Sequence, residues 1–92
     1  MSVMKVFSVR DSKAAAYMQP FFSLNEATAH RACGACLIDS NHPFYSTPED
    51  YSLYILGEYD DSSGKFTLLD APEHLFNLID LANNADHELT GE

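Results

Sequence analysis

The chain has 92 residues, with fourteen acidic side chains against five basic ones and a formal net charge of -9. That length favours one domain, burying roughly 60–65% of the surface its unfolded chain exposes. The charge argues against a DNA duplex or an anionic membrane as the main partner: neutralising several phosphates takes clustered Lys and Arg, and the only close trio here is Lys5, Arg10 and Lys13.

Two cysteines are too few for a disulfide-stapled secreted scaffold. No apolar run approaches the roughly 20 residues of a membrane helix, and no basic segment leads into an apolar one as in a signal peptide. A reducing, intracellular compartment and no membrane partner are the expectation. The apolar and aromatic content is that of a folded domain.

Val3 to Val9 alternates as a strand, with Met4 and Val6 on one face and Lys5, Phe7 and Val9 on the other. Arg10 to Lys13 is a turn-forming polar cluster, and Ala14 to Met18 returns as a second strand before Pro20. Ser23-Leu24-Asn25-Glu26 has the form of a capping box, Ser23 capping and Glu26 reaching back. It predicts a helix from Leu24 to about Ile38, ended by Asp39 to Pro43. Gly34 inside that helix costs about 1 kcal/mol of propensity relative to Ala, to be offset by close packing.

Phe44 to Asp50 reads as a loop with two apolar anchors, Phe44 and Tyr45, and one helical turn at Pro48-Glu49-Asp50. Tyr51 to Tyr59 is the clearest strand. Leu53, Ile55 and Tyr59 are expected on one side and Tyr54, Leu56 and Glu58 on the other; apolar residues on both sides suit a central strand. Gly57 interrupts it as at a bulge. Asp60 to Gly64 is a hairpin loop, and Lys65 to Leu69 the returning strand. A second helix is expected to start at Asp70 or Ala71, with Pro72 in its first turn and Leu75, Leu78, Ile79 and Ala82 as its buried stripe. Residues 1–83 then form one α+β domain, an antiparallel sheet with two helices in the order β-β-α-β-β-α, and 84–92 an acidic tail.

The pattern of reactive side chains is sparse. Cys33-Gly34-Ala35-Cys36 is a C-x-x-C, but a redox dithiol needs its first thiol at a helix N-terminus; these fall late in the predicted helix, and packing cysteines are expected. Zinc would need His30 and Cys33 joined by Cys36 and by His42, His74 or His87. His30 and Cys36 stand roughly 120° apart around a helix, so no metal site is expected. Glu49-Asp50 and Glu58 to Asp61 lack the calcium-loop spacing. With no phosphate loop, nucleophile elbow or zinc-protease motif, neither catalysis nor a cofactor is expected. Tyr51, Tyr54, Tyr59 and Phe66 give a sheet surface rich in rings, which suits core and dimer contacts; stacking single-stranded bases on it would also call for a basic groove.

Several blocks together resemble one family. They are Phe7-Ser8-Val9 with Asp11-Ser12-Lys13, Tyr17 with Pro20-Phe21-Phe22, Asn25-Glu26-Ala27, and Pro48-Glu49-Asp50-Tyr51 with Leu53 and Leu56-Gly57-Glu58-Tyr59-Asp60-Asp61. The resemblance is to the small non-structural protein of gokushoviruses, single-stranded DNA bacteriophages of the Microviridae. It covers most of residues 4 to 69, with Met1-Ser2-Val3 before it and the acidic end, with Asp86, Glu88 and Glu92, after it. It implies a non-catalytic role, by analogy with protein C of other microviruses, in the switch from duplex synthesis to single-strand synthesis and packaging. The implied partners are phage replication or capsid proteins in the cytoplasm of the infected host. The net charge of -9 leads to the expectation that acids such as Glu58, Asp60 and Asp61 meet a basic surface on them, and the small size and many aromatics to the expectation of a homodimer. The alternative is a direct single-stranded DNA binder using Lys5, Arg10, Lys13 and Tyr17.

Overall fold

Two long strands with apolar residues on both sides, β1 (Val3–Asp11) and β4 (Tyr51–Asp60), pair antiparallel in the middle of the sheet. The computed structural model describes residues 3–83. On the outer edge of β1 lie two short strands, β2 (Ala16–Tyr17) and β3 (Phe21–Ser23), each antiparallel to it. On the outer edge of β4 lies β5 (Lys65–Asn77), giving the order β2-β1-β4-β5, with β3 also on β1. The fold is α+β, as expected, with one more short strand than the sequence suggested.

Irregular pairing curls the sheet, because bulges increase local twist. Leu56 has no partner on β1, since Val6 faces Gly57 and Phe7 already faces Ile55. On the other side Ile55 pairs with Glu73 and Gly57 with Leu68, so Leu69 to Pro72 stand against Leu56 alone. Gly57, read from sequence as a bulge, therefore sits at the break in both ladders. A Cβ there would lie 2.3 Å from the Thr67 carbonyl oxygen and 2.7 Å from the Leu68 Cα.

The helix α1 (Glu26–Leu37) begins two residues later than expected. Its cap is Asn25, whose Oδ1 accepts the Thr28 N–H at 2.9 Å while Thr28 Oγ1 accepts the Asn25 N–H at 3.2 Å. Ser23 cannot act as the cap because its backbone belongs to β3, opposite Lys5; its hydroxyl instead bonds to that of Thr28. A one-turn helix, α2 (Pro43–Ser46), follows, with His42 Nδ1 accepting the Phe44 N–H at 3.2 Å. Pro48–Asp50 forms the expected turn, of 3-10 type. Of the two anchors expected in this segment, Phe44 is buried and Tyr45 is exposed.

The largest correction concerns residues 70–77. They continue β5 and are not helical; helix begins at residue 78 and runs to 83, the last residue described. Pairing with β4 sets Phe76 beside Leu53, which gives residues 73–77 more apolar contact as strand than a solvated first helical turn would have. Leu78 from the expected stripe is fully buried and Leu75 and Ala82 are partly buried, while Leu81 takes the inner position expected of Ile79. Phe7, Val9, Ala29, Cys33, Leu37, Phe44, Tyr51, Leu53, Leu78 and Leu81 form the core between the sheet and its helices. The expected acidic tail at 84–92 lies outside the described residues.

Candidate functional site

Side chains alternate across a strand, so the core-facing Phe7 and Val9 fix the rest of β1. Lys5 shares their side; Met4, Val6, Ser8 and Arg10 lie on the opposite face. The registers extend that face. Tyr17 stands opposite Arg10, Phe22 opposite Val6, Tyr54 opposite Ser8 and Tyr59 opposite Met4. On β5, His74 stands opposite Tyr54 and Phe66 opposite Tyr59. The helical core residues all join the other side, leaving an aromatic face that no described helix covers. Tyr17 and Phe22 keep 44% of their surface exposed and Phe66 53%.

The rings form two groups. In one, the Tyr17 and Tyr54 rings meet edge to face at 5.3 Å, Tyr54 meets the His74 ring at 5.4 Å, and the Arg10 guanidinium lies 5.9 Å from the Tyr17 ring centre. Asn77 Oδ1 accepts the Ser52 hydroxyl at 2.8 Å and lies 2.8 Å from His74 Nε2, which fixes the outer end of this group. In the other, Phe22 meets Tyr59 at 5.3 Å and Phe66 at 6.0 Å, and Tyr59 meets Phe66 at 4.8 Å. Buried Ser8 between them is satisfied by donating to the Met18 carbonyl at 2.7 Å. The paired positions of this face carry no carboxylate, although the chain is acidic overall.

Such a surface can pack against apolar groups and offer a few directed hydrogen bonds. It has little phosphate-binding capacity, because the basic trio does not converge. Arg10 and Tyr17 lie on it. Lys5 is on the opposite side in an exposed ion pair with Glu58 at 3.1 Å, and Lys13 sits in the β1–β2 turn, 3.9 Å from Asp50. Glu58 therefore shares Lys5's side, while Asp60 holds the hairpin turn, accepting the Ser62 N–H on its side chain and the Gly64 N–H on its carbonyl, with Asp61 following it. Tyr51, expected among the surface rings, points into the core against Phe44 at 4.6 Å. Tyr59 shares the face of Tyr54 and not that of Leu53, because the unpaired Leu56 shifts the alternation by one. Phe22 and His74 were not foreseen; the Phe21-Phe22 doublet carried the only signal, one ring for each face of a strand.

The Phage ORF5 protein family model matches residues 4–81. The chain belongs to the Phage ORF5 protein family. It is thus a phage protein, and the family match extends beyond residue 69, where the sequence resemblance ended, to include all of β5 and the helical residues 78 to 81. No curated protein and no solved structure matches the chain.

Elsewhere in this Phage ORF5 family member the cysteines behave as packing groups. Cys33 is buried, and desolvation, with Cys36 adding to it, pushes its thiol up to about 11. Burial and then the Asp39 carboxylate raise Cys36 as well. Both stay protonated at neutral pH, the opposite of a redox thiolate. The His30 ring packs on Phe76 at 5.1 Å, and no group of three potential ligands gathers among the described residues. No described helix is long and apolar enough to cross a membrane.

Proposed function

We propose that the protein is a non-catalytic regulator of phage genome replication, or of the switch to single-strand synthesis and packaging, and that it acts through protein contacts made by the open aromatic face. In this reading it works as a homodimer in the cytoplasm of a bacterium infected by a gokushovirus, on a replication or capsid protein. The observation that carries it is the arrangement of the rings. Tyr17, Tyr54 and His74, and Phe22 with Tyr59, set edges against faces. A ring face covered by its neighbour's edge is closed to a stacking base on that side, whereas the outer surface of the cluster stays free for shape-matched apolar packing. Exposed apolar patches of this kind mark interaction sites.

A second reading, direct single-stranded DNA binding, draws on Arg10 over Tyr17 and on the absence of carboxylates from the paired positions. One arginine cannot track a phosphate backbone, so this reading ranks lower. Capture from infected cells, with and without nuclease, tests the two together. The expected result is a phage protein retained after nuclease treatment and lost when Tyr54 and Phe66 are replaced by Ala, with single-stranded DNA binding no tighter than ~10⁻⁴ M at physiological salt. Submicromolar DNA binding that is lost on replacing Arg10 and Tyr17 reverses the order. Light scattering that finds only monomer at micromolar concentration removes the dimer.

A further inference from the structure

On the side of the sheet away from the aromatic face, a cavity of about 240 Å³ opens beside α1. Val9 and Phe21 line it from the sheet, Ala32, Cys33 and Cys36 from α1, and Phe44 from α2. It lies where the outer edge of β1 passes from β2 to β3, along the connection that contains Met18 and Gln19. Its lining is almost wholly apolar, Gln19 and His42 supplying the polar part. With His42 Nδ1 accepting the Phe44 N–H, the neutral ring carries its proton on Nε2. An apolar cavity of roughly 150 Å³ holds a benzene ring, so this one has room for a phenyl or a branched aliphatic side chain.

The α1 end of the site is negative, with the Asp39 carboxylate, which accepts the Asn41 N–H at 3.0 Å, just beyond the helix. Ala32, Cys33 and Cys36 occupy the C-terminal half of α1, the negative end of its dipole, and no basic residue lies in its last turn. Asp39 follows directly, its N–H bonded to the Cys36 carbonyl at 3.3 Å. The α1 cation, Arg31, precedes that turn. An apolar hole beside a negative helix end suits an apolar group carried next to positive charge, the arrangement of a pocketed anchor with a charged rim.

We propose that this cavity seats one bulky apolar side chain from a basic segment of a partner protein, with Lys or Arg beside the anchor meeting Asp39 and the C-terminal carbonyls of α1. The site is separate from the open face and does not depend on what the face binds.

The test uses the full chain and a fluorescent, acetylated peptide amide of sequence Lys-Lys-Ala-Phe-Ala-Lys-Lys. Binding should shift the backbone resonances of Ala32, Cys36 and Phe44, slow alkylation of Cys36, and weaken as salt rises. Replacing the peptide Phe by Ala, or its four Lys by Glu, should lower affinity at least about tenfold. Ala32→Phe, at an exposed helix position on the cavity wall, should fill the space and cost a similar factor, while Tyr54→Ala on the other face changes nothing. Equal affinity for the Phe and Ala peptides, resonance shifts confined to Tyr54 and Phe66, or phenol entering the cavity while the peptide does not, would each overturn the proposal. So would a dimer that Ala32→Phe dissociates, which would make a second copy the occupant. If the Ala32→Phe chain binds the peptide as tightly as the parent, the cavity proposal falls and the open-face reading stands, since capture through Tyr54 and Phe66 does not involve this wall.

Discussion

The same substitution, Gly to Ala, should have opposite effects at two positions of this chain. At Gly57 the new Cβ would lie 2.3 Å from the Thr67 carbonyl oxygen and 2.7 Å from the Leu68 Cα, both backbone atoms of β5 that no rotamer change can move aside. The residue also has φ +158°, at the border of the region L residues avoid. Overpacking costs about 1–3 kcal/mol and backbone strain a similar amount, so Gly57→Ala should lose about 2–6 kcal/mol of the roughly 5–14 available to a chain of this size. At Gly34, inside α1, a Cβ meets nothing within 4 Å, and Gly34→Ala should gain about 0.8–1 kcal/mol of helix propensity. Urea unfolding followed by far-UV circular dichroism measures both, since the chain has no Trp. With a slope near 1 kcal/mol per molar for a small domain, the midpoint should fall by at least about 2 M for Gly57→Ala and rise by roughly 1 M for Gly34→Ala. A Gly57→Ala chain within about 0.5 kcal/mol of the parent, the usual range of an innocuous surface change, would refute the close approach of β5 to β4. A destabilised Gly34→Ala chain would refute the open space beside α1.

Leu53 is fully buried at the centre of the sheet, and Leu53→Ala should cost about 2–5 kcal/mol in the same urea experiment; an unchanged midpoint would contradict its position. Cys33 gives a pH prediction. Its folded pKa of about 11 exceeds the ordinary 9.0, so the native state holds the proton more tightly than the unfolded chain. The stability this provides is complete below pH 9 and is lost as pH rises towards 11, by roughly 2–3 kcal/mol for a shift of this size. The parent should lose that much more stability across the window than Cys33→Ala, in which tyrosine ionisation is common to both; equal losses would show that the thiol is not desolvated.

The central strands were legible because their signals are local. Tyr51 to Tyr59 is apolar on both sides with Gly57 within it, and it became a central strand with a break at that glycine. The Cys33 and Cys36 packing role followed from their late position in a helix that the Ser23 to Glu26 capping pattern made predictable, although the structure caps it with Asn25. Residues 70–77 were not legible. Pro72 near an acidic residue and apolar positions at helical spacing satisfy a helix, and the competing strand depends on Leu53 and Tyr54, about twenty residues away in sequence. The open face was half legible. Tyr54, Tyr59 and Phe66 could be assigned to a sheet surface, but Tyr51 could not be moved to the core without the contact with Phe44, nor Tyr59 to the side of Tyr54 without knowing that Leu56 is skipped in the register. The basic trio failed as a cluster because alternation places Lys5 and Arg10 on opposite faces.

The interruption of β5 bears on how the chain behaves when crowded with copies of itself. A sheet's outermost strand offers unpaired N–H and C=O groups, and a long uninterrupted one is a template for cross-β growth. β5 is the outermost strand on its side of the sheet and spans thirteen residues. Leu69 to Pro72 bulge out of its middle, Pro72 has no N–H to donate, and Glu73 follows at once. An incoming strand can therefore find a regular run only along Lys65 to Leu68, because Glu73 to Asn77 is itself irregular at Leu75, which has no partner between His74 opposite Tyr54 and Phe76 opposite Leu53; that run is shorter than the six- or seven-residue segments that build stable zippers. The irregularity that concealed this strand from the sequence thus also shortens the template that this edge offers to a second copy of the chain.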